Sequence, residues 1–406
     1  MAQTEATKMT QHFVATPDSH FPMAEFPLFQ QANSSRKSTH PNVVVLMLES
    51  WGALHIDTLR REMKLPPLGV TPNFDKLAQQ GRLYTHFYAN GQRSIQGAAA
   101  ILASQPTFPS MPLLGLGMEQ NRLSFIGQLA QTQHYQTIFL QSSDRGSFHF
   151  NTIASRAGFS RYLGAEDIPN LHEQPKPAST WGTWDHNTFQ QANSLFAQAN
   201  KPFLGFIFTS TTHIPWIIPD QRWNKYSGGT DRDAFLNTLF YADWALGQLV
   251  DAAKQAGYFD NTIFVITADH ANEFTEQTET IPNQFHIPLL LVGPGVTAGI
   301  DQRIGSQFDI LPTVIDLAGW STAYAGMGRS LLDESRQSER ASLSIRGDIL
   351  DWITDDGWLS HNLERRVGSS AELTKPQSDL MEHRLLGVYQ TTIQAQVNNR
   401  FLPTAE

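Results

Sequence analysis

The stretch ITADHAN places a carboxylate, Asp269, and an imidazole, His270, side by side at the end of an apolar run, TIFVIT. A carboxylate and an imidazole leaving one buried strand can both face a single cation. The plain alternative is a strand-to-loop turn in which Asp269 caps the next few residues. Glu49 strengthens the metal reading, because it ends another apolar run, VVVLML, and neighbouring parallel strands would set all three groups on one rim. Read alone, Glu49 is more readily a carboxylate stabilised by a helix N-terminus.

A nucleophile for such an ion is offered by NGQRSIQGAAAIL. Here a glycine-containing loop leads into Ser94 and then into small residues that open a helix. Backbone N–H groups and the positive helix end would lie near the hydroxyl, which favours transfer of an anion. An N-cap role for Ser94 is the common alternative. An unperturbed hydroxyl is a weak nucleophile at neutral pH, and coordination to a divalent cation is one remedy. Arg93 could pair with a phosphate oxygen, although many arginines so placed simply face solvent. In TSTTHIPW, His213 follows a further apolar run and could hold a phosphoryl oxygen or protonate a leaving group. His286, ahead of PLLLV, reads as a hydrogen-bonded structural histidine or a weaker substrate-site candidate. Arg145 and His149, in SSDRGSFHFN after TIFLQ, stand at one more strand end where an anion could be met.

These residues need a scaffold that gathers strand ends. The runs NVVVLMLES, TIFLQSS, FLGFIFTS, TIFVITADH and IPLLLVG have the unbroken apolar character of strands buried on both faces. Between them, FDKLAQQG, SFIGQLAQTQ and FYADWALGQLVDAAKQAG read as amphipathic helices, the last closed by a glycine that suits a C-cap. The alternation predicts an α/β fold, a mostly parallel central sheet covered by helices on both faces, with ligands bound beyond the carboxyl ends of its strands. Residues 1–41, polar and without sustained periodicity, read as an N-terminal tail or strap. Residues 42–335 form the predicted catalytic domain. Residues 336–406, with scattered charge and weak alternation near LLGVYQTTIQAQV, read as a small C-terminal β-containing subdomain.

Composition bounds the function. With 406 residues, 40% apolar and 17% charged, the chain has ample material for a core. Its net charge of −9 argues against a nucleic-acid partner. The absence of cysteine excludes disulfides, thiolate metal sites and thiol nucleophiles. No window reaches the roughly 18 consecutive apolar residues of a membrane span. The start, MAQTEATKMTQHF, lacks the basic and apolar regions of a secretory signal, so the chain is either cytosolic or a domain separated from its signal or anchor.

Taken together, the segments NVVVLMLESWG, TPNFDKLAQQGRLYTHFYANGQRS, TTHIPW, FYADWALGQLVDAAKQAGYFDNTIFVITADH, HIPLLLVGPGV, SQFDILPTVIDLAG and GMGRSLL resemble, in order over about residues 42–332, the lipoteichoic acid synthase and phosphoglycerol transferase family, a sulfatase-like branch of the alkaline phosphatase superfamily. That resemblance implies an alkaline phosphatase-like fold. It implies that Glu49, Asp269 and His270 hold one manganese or magnesium ion, rather than zinc or calcium, with Ser94 completing the shell. Ser94 stands where the family carries its threonine or serine nucleophile, and His213 where it carries a histidine associated with the substrate phosphate.

The implied reaction is a two-step transfer through a phosphoserine, acting on a glycerophosphoryl-bearing lipid or glycan at the periplasmic or extracellular face of the cell envelope. Water as acceptor would make the enzyme a phosphodiesterase or phosphatase, and a sugar or glycerol hydroxyl would make it a transferase. The sequence departs from the synthases at SFHFNTIASRAGF, where no arginine takes the family's glycerophosphate-contacting position, and Arg145 and His149 are the nearest substitutes. Polymerising synthases also carry membrane helices ahead of the catalytic domain, and none lies in this chain. An arylsulfatase is the closest rival, but Ser94 is followed by IQGA and not by the C/S-x-P-x-R motif. A non-catalytic phosphate- or glycan-binding module on the same scaffold is the rival from another class.

Overall fold

The computed structural model describes residues 1–32, 39–169, 181–272, 274 and 280–404. Its centre is an eight-stranded sheet built from β2 (Asn42–Leu48), β3 (Arg82–Tyr88), β4 (Gln136–Gln141), β5 (Arg161–Leu163), β6 (Phe203–Phe208), β7 (Thr262–Ala268), β8 (Leu289–Val292) and β9 (Gly299–Ser306). Across the sheet the strands lie in the order β5-β4-β6-β2-β7-β8-β3-β9. Pairing is parallel except at β8, which runs against both β7 and β3. The continuous apolar runs of the sequence account for the middle of this sheet. Every residue of β2, β6 and β7 is buried, as strands covered on both faces require.

The helices that cover it are α2 (Asp57–Glu62), α3 (Pro72–Ala78), α4 (Ser94–Ala103), α5 (Ile126–Thr132), α6 (Phe150–Arg156), α7 (Asp185–Ala197), α8 (Asp231–Gln255) and α9 (Ile310–Leu317). They fall into two packed groups, α8 against α3 and α7, and α4 against α5 and α9. The long α8 opens on a capping box in which Thr230 and Asp233 exchange hydrogen bonds. A buried carboxylate on α8, Asp243, accepts from the N–H groups of Asn73 and Phe74 at the start of α3, tying the two helices together.

The N-terminal segment is more ordered than its polar composition suggests. Helix α1 (Gln3–Val14) packs on the long α10 (Lys375–Val397), and β1 (Phe29–Ala32) pairs antiparallel with β10 (Thr322–Ala325). Only Ala6, Thr10 and Val14 of α1 are buried, four residues apart along one stripe, so the sequence shows no apolar face of ordinary width. Near the C-terminus, a separate antiparallel sheet joins β11 (Ser342–Arg346), β12 (Ile349–Thr354), β13 (Gly357–His361) and β14 (Arg366–Ser369). The stretch LLGVYQTTIQAQV, whose alternation suggested β structure, instead lies in α10. Its β-branched residues imitate a strand, yet the buried positions Met381, Leu385, Val388, Thr391, Thr392 and Ala395 follow helical spacing.

Candidate active site

Strand register brings the site together. Leu48 of β2 lies beside Ala268 of β7, and Met47 beside Phe208 of β6, so the next residues, Glu49, Asp269 and Thr209, leave the sheet on one rim. The main chain is stitched across that rim: Asp269 N–H donates to Leu48 O (3.1 Å) and Glu49 N–H to Thr209 Oγ1 (2.9 Å). Ser50 adopts a left-handed backbone (φ 59°), a strained turn for a residue with a Cβ. Its N–H donates to Asp269 Oδ1 and its hydroxyl to Glu49 Oε1, both at 2.8 Å.

Among the described residues, Glu49, Asp269 and His270 are the one group of three acidic or imidazole side chains close enough to share an ion, their ligand atoms lying within 4.8 Å of one another. His270 Nε2 is 3.3 Å from Asp269 Oδ2 and 3.8 Å from Glu49 Oε1. Its Nδ1 is paired with Ala271 O (2.9 Å), which assigns the proton to Nδ1 and leaves Nε2 as a lone-pair donor. Asp269 is fully buried. While Oδ1 takes two N–H bonds, from Ser50 and His270, Oδ2 has no hydrogen-bond donor. A buried carboxylate oxygen without a donor is costly. Burial first, and then the negative charge of Asp269, push the Glu49 carboxyl well above its usual range. Two carboxylates forced together in a dry site, one oxygen unsatisfied and one imidazole lone pair alongside, fit a divalent cation.

Ser94, buried, is the first residue of α4. The loop ahead of it is held by Gln96, whose Oε1 accepts from the N–H groups of Gln92 (3.0 Å) and Arg93 (3.1 Å). Behind it, a Cβ at Gly97 would overlap the carbonyl oxygen of Asp269 and touch Gln307 Nε2. Gln307 is fully buried and joins the two halves of the site. Its Nε2 donates to Ala268 O (2.8 Å) and Asp269 O (2.7 Å), while its Oε1 accepts from Asn90 N–H (2.8 Å).

Two cavities meet here. One, of about 630 Å³, is lined by Glu49, Ser50, Thr212, His213, Trp216, His270, Asn272 and Gln284, among others. The other, of about 580 Å³, has Arg93, Ser94 and His149 with Ile95, Leu113, Leu114, Leu116 and Phe148. Gln92, His213 and His270 belong to both walls and mark the junction. His213 Nδ1 pairs with Ile214 O (2.8 Å), and Trp181 lies 4.5 Å from the His213 ring.

The structure thus draws Glu49, Ser94, Asp269, His270, Arg93, His213 and His149 to one cleft. Arg145 and His286 line neither cavity. Arg145 pairs with Asp167 and lies 5.4 Å from the centre of the Tyr162 ring. His286 is buried, its Nε2 on Thr85 O (2.7 Å), and burial lowers its imidazole to about 4. Ser50, Gln96, Thr209 and Gln307 were missed in the sequence. Ser50 alone carried a local signal, as the next polar residue after a strand-terminal glutamate.

Among curated proteins, the chain is 24% identical over 331 residues to lipoteichoic acid synthase 1 of Bacillus subtilis, covering 72% of this chain and 48% of that one. It is 21% identical over 316 residues to lipoteichoic acid synthase of Staphylococcus aureus, covering 69% and 46%. It therefore spans about half the length of the curated relatives it matches. Among solved structures, a protein of the alkaline phosphatase superfamily from Vibrio parahaemolyticus superposes with a TM-score of 0.84 at 24% identity, over 100% of this chain and 98% of that one. A lipoteichoic acid synthase from Listeria monocytogenes gives 0.73 at 15%, over all of both chains. These likenesses establish the alkaline phosphatase-like fold. Because the sequence profile described as Sulfatase matches residues 41–320, more than half of the molecule, the chain belongs to the sulfatase family.

Proposed function

We propose that this protein transfers a phosphoryl-linked group from a phosphodiester, such as the glycerophosphoryl group of an envelope lipid or glycan, through a phosphoserine at Ser94. The observation that carries the reading is the donorless Oδ2 of fully buried Asp269, set beside Glu49 and His270 in a cleft that also holds Ser94. Carboxylate oxygens with one imidazole suit manganese or magnesium. Bound there, the ion would lower the pKa of the Ser94 hydroxyl and offset charge on the phosphoryl oxygens.

Ser94 Oγ attacks phosphorus and gives up its proton, and the P–O bond to the leaving alcohol breaks as that oxygen takes up a proton. In the second step water or an acceptor hydroxyl attacks the same phosphorus, the Oγ–P bond breaks, and Ser94 regains its proton. Arg93 and the N–H groups at the head of α4 offset the phosphoryl charge. With Nδ1–H donated to Ile214 O, His213 keeps a lone pair on Nε2 that can take up the proton given up by Ser94 and then donate it to the leaving oxygen. Phosphorus is favoured over sulfur because Ile95, Gln96 and Gly97 follow Ser94 in place of the sulfatase maturation motif. No helix of the described residues is long and apolar enough to cross a membrane. We place the enzyme at the outer face of the envelope on the strength of its synthase relatives.

The test is hydrolysis of bis(p-nitrophenyl) phosphate with manganese. Ser94→Ala should lower kcat by at least 1,000-fold, on the order of what loss of a covalent nucleophile costs, with manganese binding retained in calorimetry. Retained turnover in Ser94→Ala would remove the nucleophile assignment.

A further inference from the structure

The second cavity has a wall unlike the first. Ile95, Leu113, Leu114, Leu116 and Phe148 supply hydrocarbon directly beside Ser94, whereas the metal-side cavity is rich in amides, hydroxyls and imidazoles. Leu116 is 63% exposed and Phe148 37% exposed, a poor use of large apolar side chains unless something covers them.

Both are held rigidly. Leu116 stands between Gly115 (φ 79°) and Gly117 (φ 121°), conformations a side chain rarely tolerates. The N–H groups of both glycines donate to Glu119 Oε2, at 2.8 and 3.1 Å, and Leu116 N–H donates to Leu113 O at 2.9 Å. A Cβ on Gly115 would press within 3.2 Å of His149 Cβ and Phe148 O, so the loop is seated on the segment that carries the other half of the wall. In that segment Phe148 and His149 are consecutive left-handed residues (φ 55° and 59°). Strained backbone of this kind persists where the surroundings enforce it and concentrates at ligand sites. Two braced turns therefore present apolar side chains to the cleft, and neither buries them in the core.

Resting on the phosphodiester reading above, we propose that this cavity is a subsite for a hydrocarbon substituent ester-linked to the phosphorus, with Leu116 and Phe148 as its specificity-determining residues. Its continuity with the metal-side cavity through Gln92, His213 and His270 sets such a substituent on one side of the reacting phosphorus, and the polar wall on the other side suits a polyol. Its volume is in the range of small-molecule sites.

The experiment uses methyl, butyl and octyl diesters of glycerol phosphate below micelle-forming concentrations, with kcat/KM read from formation of glycerol phosphate as the alkanol leaves. A fully buried methylene is worth about fourfold, so octyl should exceed methyl by at least 30-fold. Leu116→Ser, at an exposed position, should cut that ratio at least fivefold, and Leu380→Ser, at an exposed position of α10 that lines neither cavity, should leave it unchanged. In parallel, calorimetric titration with octylphosphonate and methylphosphonate should show the same Leu116-dependent preference. A flat series, or a preference that survives Leu116→Ser, overturns the subsite. Absence of Ser94-dependent hydrolysis of every diester, with the phosphonate preference intact, would instead remove the reaction and leave the subsite standing.

Discussion

Gly97 packs its Cα face against the main-chain carbonyl of Asp269, so the helix that opens on Ser94 and the strand end that carries Asp269 touch without an intervening side chain. An alanine inside a helix ordinarily stabilises it by about 1 kcal/mol relative to glycine. Here the sign reverses. Gly97→Ala must push α4 away from Asp269, costing about 1–3 kcal/mol of stability by overpacking and lowering kcat at least tenfold. Chemical denaturation and steady-state kinetics on the same variant would check both, and a stabilised, fully active Gly97→Ala would contradict the packing argument.

Removing a charge from the metal group should affect the metal-free and metal-loaded protein differently. Asp269→Asn relieves the repulsion with Glu49, so the metal-free variant should melt no lower than metal-free wild type. Manganese at about 100 times its Kd should stabilise wild type by about 2.7 kcal/mol and leave Asp269→Asn unmoved. Thermal melts with and without manganese read both effects, and an equal manganese shift in the variant would rule out Asp269 as a ligand.

Gln307 satisfies Asn90 N–H and the carbonyls of Ala268 and Asp269 from a fully buried position. Gln307→Leu keeps the volume and orphans all three, which should cost about 2–4 kcal/mol, given about 1–3 kcal/mol for each unsatisfied buried group less some local relaxation. Urea denaturation would show it. A loss below about 1 kcal/mol would mean that water replaces the amide.

Stability should fall in mild acid partly through His286. Burial holds the native imidazole neutral until about pH 4, whereas an unfolded one takes up its proton near 6.5. Between those values the unfolded state binds more protons. Stability conferred by the neutral ring is thus fully present above about pH 6.5, declines as pH drops, and levels off below about pH 4, for a total of about 3 kcal/mol. His286→Gln should flatten the pH dependence of the denaturation midpoint over that window, and parallel profiles would refute the assignment.

The parts of this molecule that were legible in sequence are those fixed by local pattern. The buried runs ending in Glu49 and in Asp269 and His270 announce both the strands and their rim, because parallel strands buried on two faces leave no alternation and place their polar residues at the ends. Ser94 was legible through the glycine-containing loop and small residues around it. Other features depend on distant partners. Helix α1 exists because α10 covers its narrow stripe of Ala6, Thr10 and Val14, and α10 itself hides a helical burial pattern behind β-branched residues. Gln307 is a site residue through the carbonyl of Asp269, 38 positions away, and the N–H of Asn90, 217 positions away. His286 lies next to Tyr88 at the rim because β8 runs antiparallel, and there its ring turns to the carbonyl of Thr85 and away from the cleft.

The lining of the two cavities has a kinetic consequence. Among the described lining residues, Arg93 is the one permanently cationic side chain, in a chain of net charge −9. An anionic substrate of the kind proposed would therefore approach against the far field of the protein and be attracted only close in, by Arg93 and the proposed metal ion. Long-range steering, which speeds many enzymes at low ionic strength, works against this one, so added salt should raise its encounter rate through screening. Such an enzyme gains most when its substrate is already concentrated beside it, on a surface and not in free solution.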